Sequence, residues 1–203
     1  MRLPRNAILQ TALAAVVATL RETGASSLEE ALAADPARTA VLAAAGFVRR
    51  DGEKVIAAPV SQLGPASSNM ASARLSSMRQ AVAAASGKAV TGWDAQSDNV
   101  LLDQGRASAG TGHALATRLM PSLPGLADRL ATAGSRVLDI GTGTGALALA
   151  LAQDLSNVHV TGIDSLERAI RLAGQEMGKA EPGSADRVEL RHQDAVDLRE
   201  RDL

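Results

Sequence analysis

Residues 136–152 read RVLDIGTGTGALALALA, and this stretch decides the fold. A short apolar run, Arg136–Ile140, carries Asp139 and gives way to three alternating glycines, Gly141, Gly143 and Gly145. An almost wholly apolar Ala/Leu run follows at once. That order predicts strand, tight loop and buried helix. Downstream, NVHVTGID (157–164) predicts a second strand ending at Asp164. SLERAIRLAGQEMG (165–178) predicts a second helix, opened by Ser165 and carrying Glu167 toward its positive end. DRVELRHQDAVDL (186–198) predicts a third strand and its outgoing loop. Strands alternating with helices specify an α/β fold with a doubly wound parallel sheet covered by helices.

Gly141, Gly143 and Ala146 satisfy the loose dinucleotide pattern G-x-G-x-x-G/A, with Asp164 placed 23 residues after Gly141 to hold an adenosine ribose. By that motif alone an NAD-dependent oxidoreductase is open. Asp139 weighs against it, because a carboxylate beside the loop opposes a pyrophosphate. It suits a ligand with a cationic amino-acid end, which the glycine backbone can approach closely.

VLDIGTGTGALALALA resembles the first motif of the class I S-adenosylmethionine-dependent methyltransferases. GIDSLERAIRLA is similar to their second strand and following helix, and RVELRHQDAVDL to their third strand. The resemblance covers residues 105–198. It implies a Rossmann-like parallel sheet and S-adenosylmethionine as cofactor. It also implies that Asp139 and Gly141 face the methionine portion, that Gly143 and Gly145 shape the loop, and that Asp164 binds the ribose hydroxyls. Ser165 and Leu166 would flank the adenine, with Asp194 and Ala195 at its far edge. Upstream, AGTGHALATRL (109–119) looks like the family segment that closes over the methionine end. A noncatalytic cofactor-binding or scaffold protein reusing the fold is the alternative function.

Residues 1–104 are expected to form a mainly helical front domain, and 105–203 the first half of the methyltransferase domain. Ser27 and Glu30 form a capping box for a helix beginning near Leu28. Pro36 opens the next helix, which runs to about Ala45 with Gly46 as its cap. FVRRDGEKVIA (47–57) predicts a small hairpin turning at Asp51-Gly52. The pattern fits a winged-helix-like module and equally a plain helical domain. Residues 58–69 read as linker, and a long helix is expected from Ala71 to Ala85, ended by Gly87. Trp93 is a candidate for lining a substrate cleft or for plugging a domain boundary. Gly110 and Gly112 are read as a flexible approach, with Thr111 capping a helix that ends near Met120 or Pro121.

Composition removes several functions. Cysteine is absent, which excludes disulfides, thiolate catalysis and cysteine-rich zinc sites. Asp94, Asp98 and Asp103 are too loosely spaced for a metal site, and His113 lacks ligand neighbours, so no metal is expected. One Trp, one Phe and no Tyr argue against a stacking surface for single-stranded nucleic acid, and a net charge of -1 gives no steering toward it. The apolar run Ala12–Leu20 is too short to span a bilayer, so a cytoplasmic protein without a membrane partner is expected. A small organic molecule is the expected methyl acceptor. Three predicted strands are half of the family sheet. The chain alone is therefore expected to be inactive and to need a C-terminal remainder, as a second chain or a missing segment, or a homodimeric partner. No catalytic residue is assigned.

Overall fold

The computed structural model describes residues 30, 32, 36, 39, 40, 43, 48–52, 54–57, 65–88 and 90–199. Contacts divide the chain into two units, Met1–Arg79 and Gln80–Leu203. The expected first helix, the Ser27 capping box and the Gly46 cap lie outside the described residues.

In the first unit, residues 30, 32, 36, 39, 40 and 43 are helical. Thr39 is buried and donates its hydroxyl to the Leu32 carbonyl at 2.6 Å, which satisfies a polar group that burial would otherwise penalise. The expected hairpin forms, but Asp51 is the last paired residue of its first strand, so the turn begins one residue later than read, at Gly52. Strand β1 (Val48–Asp51) pairs antiparallel with β2 (Lys54–Ala57), Val48 opposite Ala57 and Asp51 opposite Lys54. Gly52 takes the left-handed backbone (φ 61°) that such a turn requires.

Helix α1 spans Pro65–Ala85, so the expected linker is helical from Pro65 onward. Proline is tolerated in a first helical turn, where its missing N–H has no intrahelical acceptor to lose. The C-terminus is as read from Gly87. Lys88 N–H donates to the Ala83 carbonyl and Gly87 N–H to that of Ala84, with Gly87 at φ 66°. This is the Schellman closure, and glycine takes its left-handed position without a Cβ clash.

The second unit carries the parallel sheet. β3 (Ser135–Ile140), β4 (Val158–Asp164) and β5 (Val188–His192) lie in the order β3-β4-β5. Val137 registers with Val160, and Val160 with Val188. The central strand is buried as parallel pairing demands: Val158, Val160 and Ile163 are all at most 1% exposed. Among the described residues, β3 has one strand neighbour.

Helix α2 (Asp98–Ala114) continues into a wider turn at Leu115–Leu119 and a tight one at Met120–Ser122. Short helix α3 (Leu126–Ala131) then leads into β3. Helix α4 (Ala146–Asp154) links β3 to β4, and α5 (Glu167–Met177) with one-turn α6 (Pro182–Ala185) links β4 to β5. Ala116, Ala148, Leu151, Ala152, Val158 and Val160 form the core between sheet and helices. Arg187 secures the end of α4, its guanidinium donating to the carbonyls of Ala152 (2.6 Å), Leu155 (2.8 Å) and Val158 (3.2 Å). Ala152 lies in the last turn of α4, where carbonyls have no intrahelical donor, while Leu155 caps the helix and Val158 opens β4.

Two local expectations are corrected. Gly110 and Gly112 are not a flexible approach, and Thr111 is not an N-cap: all three lie inside α2. A Cβ at Gly112 would stand 2.8 Å from the Ala150 Cβ and 2.9 Å from the Leu147 carbonyl oxygen, so this glycine permits close packing of α2 on α4. Helix α5 begins at Glu167 with Leu166 in the cap position, one residue beyond the expected Ser165.

Candidate cofactor site

The glycine loop is held by the end of β4. The N–H groups of Gly141 and Thr142 both donate to the Ile163 carbonyl at 2.9 Å. Gly143 N–H donates to Asp164 Oδ2 at 2.9 Å, and Leu166 N–H donates to Asp164 Oδ1 at 2.8 Å. One carboxylate thus joins the loop after β3 to the turn after β4. Each oxygen keeps a further lone pair for a hydroxyl donor. Gly141 and Gly143 have left-handed backbones (φ 74° and 58°), and a Cβ on either would project into open space.

That space is a cavity of about 590 Å³. Residues 141–144 form one wall, and Asp164, Ser165, Leu166 and Ala169 a second. Leu101, Gln104, Gly105 and Ser108 of α2 form the third, and Trp93 and Asp94 complete the lining. Helix α2 reaches the loop because Gly105 lacks a side chain: a Cβ there would fall 1.7 Å from Thr144 Oγ1.

Asp139 stands behind the loop, accepting the Thr142 hydroxyl at 2.7 Å. Burial pushes its carboxyl above the ordinary value. The Thr142 bond pulls the other way, and the negative charge of Asp164 adds to the rise. Two acids held together with few compensating donors create a site that favours positive charge.

Of the residues singled out in the sequence, Gly141, Gly143, Asp164, Ser165 and Leu166 meet around the cavity. Asp139 contributes through Thr142 and through its charge, without lining the cavity. Gly145 lies beneath the loop, where a Cβ would stand 3.0 Å from Met177 Cε and 3.3 Å from the Ala173 Cβ. Its role is packing of the loop on α5. Asp194 and Ala195 are exposed and outside the cavity lining. Asp194 instead accepts the Val196 N–H at 3.1 Å, capping a single tight turn, Ala195–Asp197.

The α2 residues of the lining were not singled out in the sequence. The signal that could have found them is Gly105 within a helical run, which marks either a break or a close approach. Trp93, one of whose two readings was a cleft, lies in the lining. His113 pairs with Asp154 at 2.7 Å on the exposed side of the α2–α4 contact, away from the cavity lining. Among the described residues, no acid or histidine cluster could hold a metal, and no helix is long and apolar enough to cross a membrane.

Residues 131–203 match the family described as Methyltransferase domain. The release factor glutamine methyltransferase of Aliivibrio fischeri is 39% identical over 64 residues, which are 32% of this chain and 22% of that protein. The tRNA1(Val) (adenine(37)-N6)-methyltransferase of Vibrio campbellii is 40% identical over 62 residues, 30% of this chain and 25% of that protein. These matches thus span about a quarter or less of the curated relatives' length. Among solved structures, the mitomycin 7-O-methyltransferase MmcR aligns over 95% of this chain and 66% of its own, with a TM-score of 0.52 at 18% identity, a likeness of fold. With the glycine loop and its acid-ended strands inside the matched segment, residues 131–203 are similar to methyltransferase domains.

Proposed function

We propose that this chain binds S-adenosylmethionine in the cavity beneath Trp93 and serves methyl transfer to a small organic acceptor. The observation that carries the reading is the bridging carboxylate of Asp164, set against an open glycine loop with Asp139 behind it. The residues fit such a cofactor by their chemistry. Asp164 offers lone pairs to ribose hydroxyls, and charge-assisted bonds of this kind are the strong ones. Asp139 and Asp164 supply negative potential to the cationic end. Leu101, Leu166 and Ala169 give apolar cover. When bound, the cofactor supplies an electrophilic methyl on a sulfonium. The chain's own part is to hold that ligand in one orientation and to shield it from water, and positioning alone can supply much of a rate enhancement.

The small-molecule reading is supported by the hairpin and the helix α1 that precede the sheet in sequence, and by the fold likeness to a mitomycin O-methyltransferase along nearly the whole chain. A second reading has its own support. The local relatives are named for glutamine and adenine methylation, so an amide or ring-bound amine on a macromolecule is the competing acceptor. The single strand neighbour of β3 among the described residues further supports pairing with additional polypeptide at its other edge.

The test, made with the additional polypeptide supplied because the chain alone is expected to be inactive, is transfer of labelled methyl from S-adenosylmethionine to three acceptor panels: hydroxylated small aromatics, glutamine-containing peptides and RNA oligonucleotides. Label in the small aromatics is expected. Label in peptide or RNA overturns the acceptor assignment. Binding of the cofactor with no label in any panel favours a noncatalytic role.

A further inference from the structure

Arg168 is the second residue of α5, directly after the turn that lines the cavity. A cation there opposes the positive end of the helix dipole, so its position calls for a compensating partner. It has several. Its Nη2 donates to the main-chain carbonyls of Trp93 (3.4 Å), Asp94 (3.1 Å) and Gln96. Its Nη1 stands 3.6 Å from Asp98 Oδ1 at the start of α2. The segment it holds has little regular structure of its own, a Gln96 N–H to Trp93 carbonyl turn at 3.2 Å being its internal bond. Yet this segment presents Trp93, 52% exposed, and Asp94 to the cavity.

We propose that Arg168 is a positioning residue that fixes residues 93–97 as a strap across the cavity, and that Trp93 is the strap's aromatic wall, covered when the adenosyl ligand binds. The ligand half of this proposal rests on the cofactor reading above. The holding half does not. Guanidinium is the suitable group, because its rigid fork meets several acceptors in fixed directions while a lysine ammonium is a flexible point charge. Fixing the strap before binding removes an ordering cost that the ligand would otherwise bear.

Trp93 is the only tryptophan and there is no tyrosine, so intrinsic fluorescence reports on the strap alone. The experiment compares acrylamide quenching of the 203-residue chain with Arg168→Ala, Arg168→Lys and Arg171→Ala, without ligand and with S-adenosylhomocysteine. Calorimetry measures affinity in parallel. Arg171 is the control: it also reaches Asp98, at 3.7 Å, with no bond to the strap carbonyls. Without ligand, both Arg168 variants should be quenched about twofold more strongly, and Arg171→Ala should match the parent. With ligand, quenching of the parent should fall, and the dissociation constant of Arg168→Ala should rise about tenfold.

Unchanged quenching in the Arg168 variants overturns the strap, as does an equal change in Arg171→Ala. Looser Trp93 with unaltered affinity overturns its coupling to the ligand. If Arg168→Ala does not fold, judged by circular dichroism, Arg168→Lys decides the matter on the same readouts. No heat from the parent chain with S-adenosylhomocysteine would contradict the cofactor reading and the Trp93 cover together, while the ligand-free quenching still decides whether Arg168 holds the segment.

Discussion

Both oxygens of Asp164 already accept backbone N–H groups, from Gly143 and Leu166, so its removal acts on the loop as well as on a bound ribose. Asp164→Ala should cost about 2–4 kcal/mol of binding, roughly 30- to 1000-fold in S-adenosylmethionine affinity by calorimetry. Asp139 gives a pH signature. Its raised pKa, caused first by burial, means that folding favours the protonated acid. Its contribution to stability is therefore complete below the unfolded value and is lost as pH rises through the folded one. A cationic ligand favours the carboxylate instead. Affinity should hence fall as pH drops through that raised pKa, and Asp139→Asn should abolish the dependence. The same variant should lower affinity about tenfold at neutral pH and melt higher than the parent when ligand-free, as read by calorimetry and thermal melts. At this scale the placement of Gly141, Gly143 and Asp164 around the cavity was legible, because a strand-ending acid and alternate glycines are local patterns. The packing partner of the loop-shaping Gly145 and the exposed positions of Asp194 and Ala195 outside the lining were not. Whether they face a cavity, a helix or solvent depends on α5 and on the path after β5, which their own neighbours in sequence do not set.

Among the elements, α2 was the least legible. Its glycines carry the same one-letter symbol as a flexible hinge, and only packing against α4 and the loop distinguishes the two uses. The distinction is measurable at Gly112, whose neighbours include the backbone of Leu147. In an isolated helix, Gly→Ala gains about 1 kcal/mol. Here the added Cβ must displace α4, and overpacking of this kind costs about 1–3 kcal/mol. Gly112→Ala should therefore lower the melting temperature, whereas a hinge glycine would have been stabilised by the same change. The strands were legible for the opposite reason. SRVLDI and VHVTGID change character sharply at a loop, and parallel pairing buries the apolar Val158, Val160 and Ile163 of the central strand. Pro65 is ambiguous in the sequence, because proline punctuates loops and first helical turns alike.

For the molecule as a whole, the parallel sheet, the covering helices and the cavity beside the glycine loop lie in one contact unit, Gln80–Leu203. A fold of this shape serves nucleotides of several kinds, so the central claim is about charge: paired acids at the loop select a cationic cofactor over a pyrophosphate. Parallel calorimetric titrations of the 203-residue chain with S-adenosylmethionine and with NAD test that claim most directly. Saturable one-to-one binding of S-adenosylmethionine, weakened in Asp164→Ala, is expected, with no measurable heat from NAD. Saturable binding of NAD with none of S-adenosylmethionine would contradict that claim.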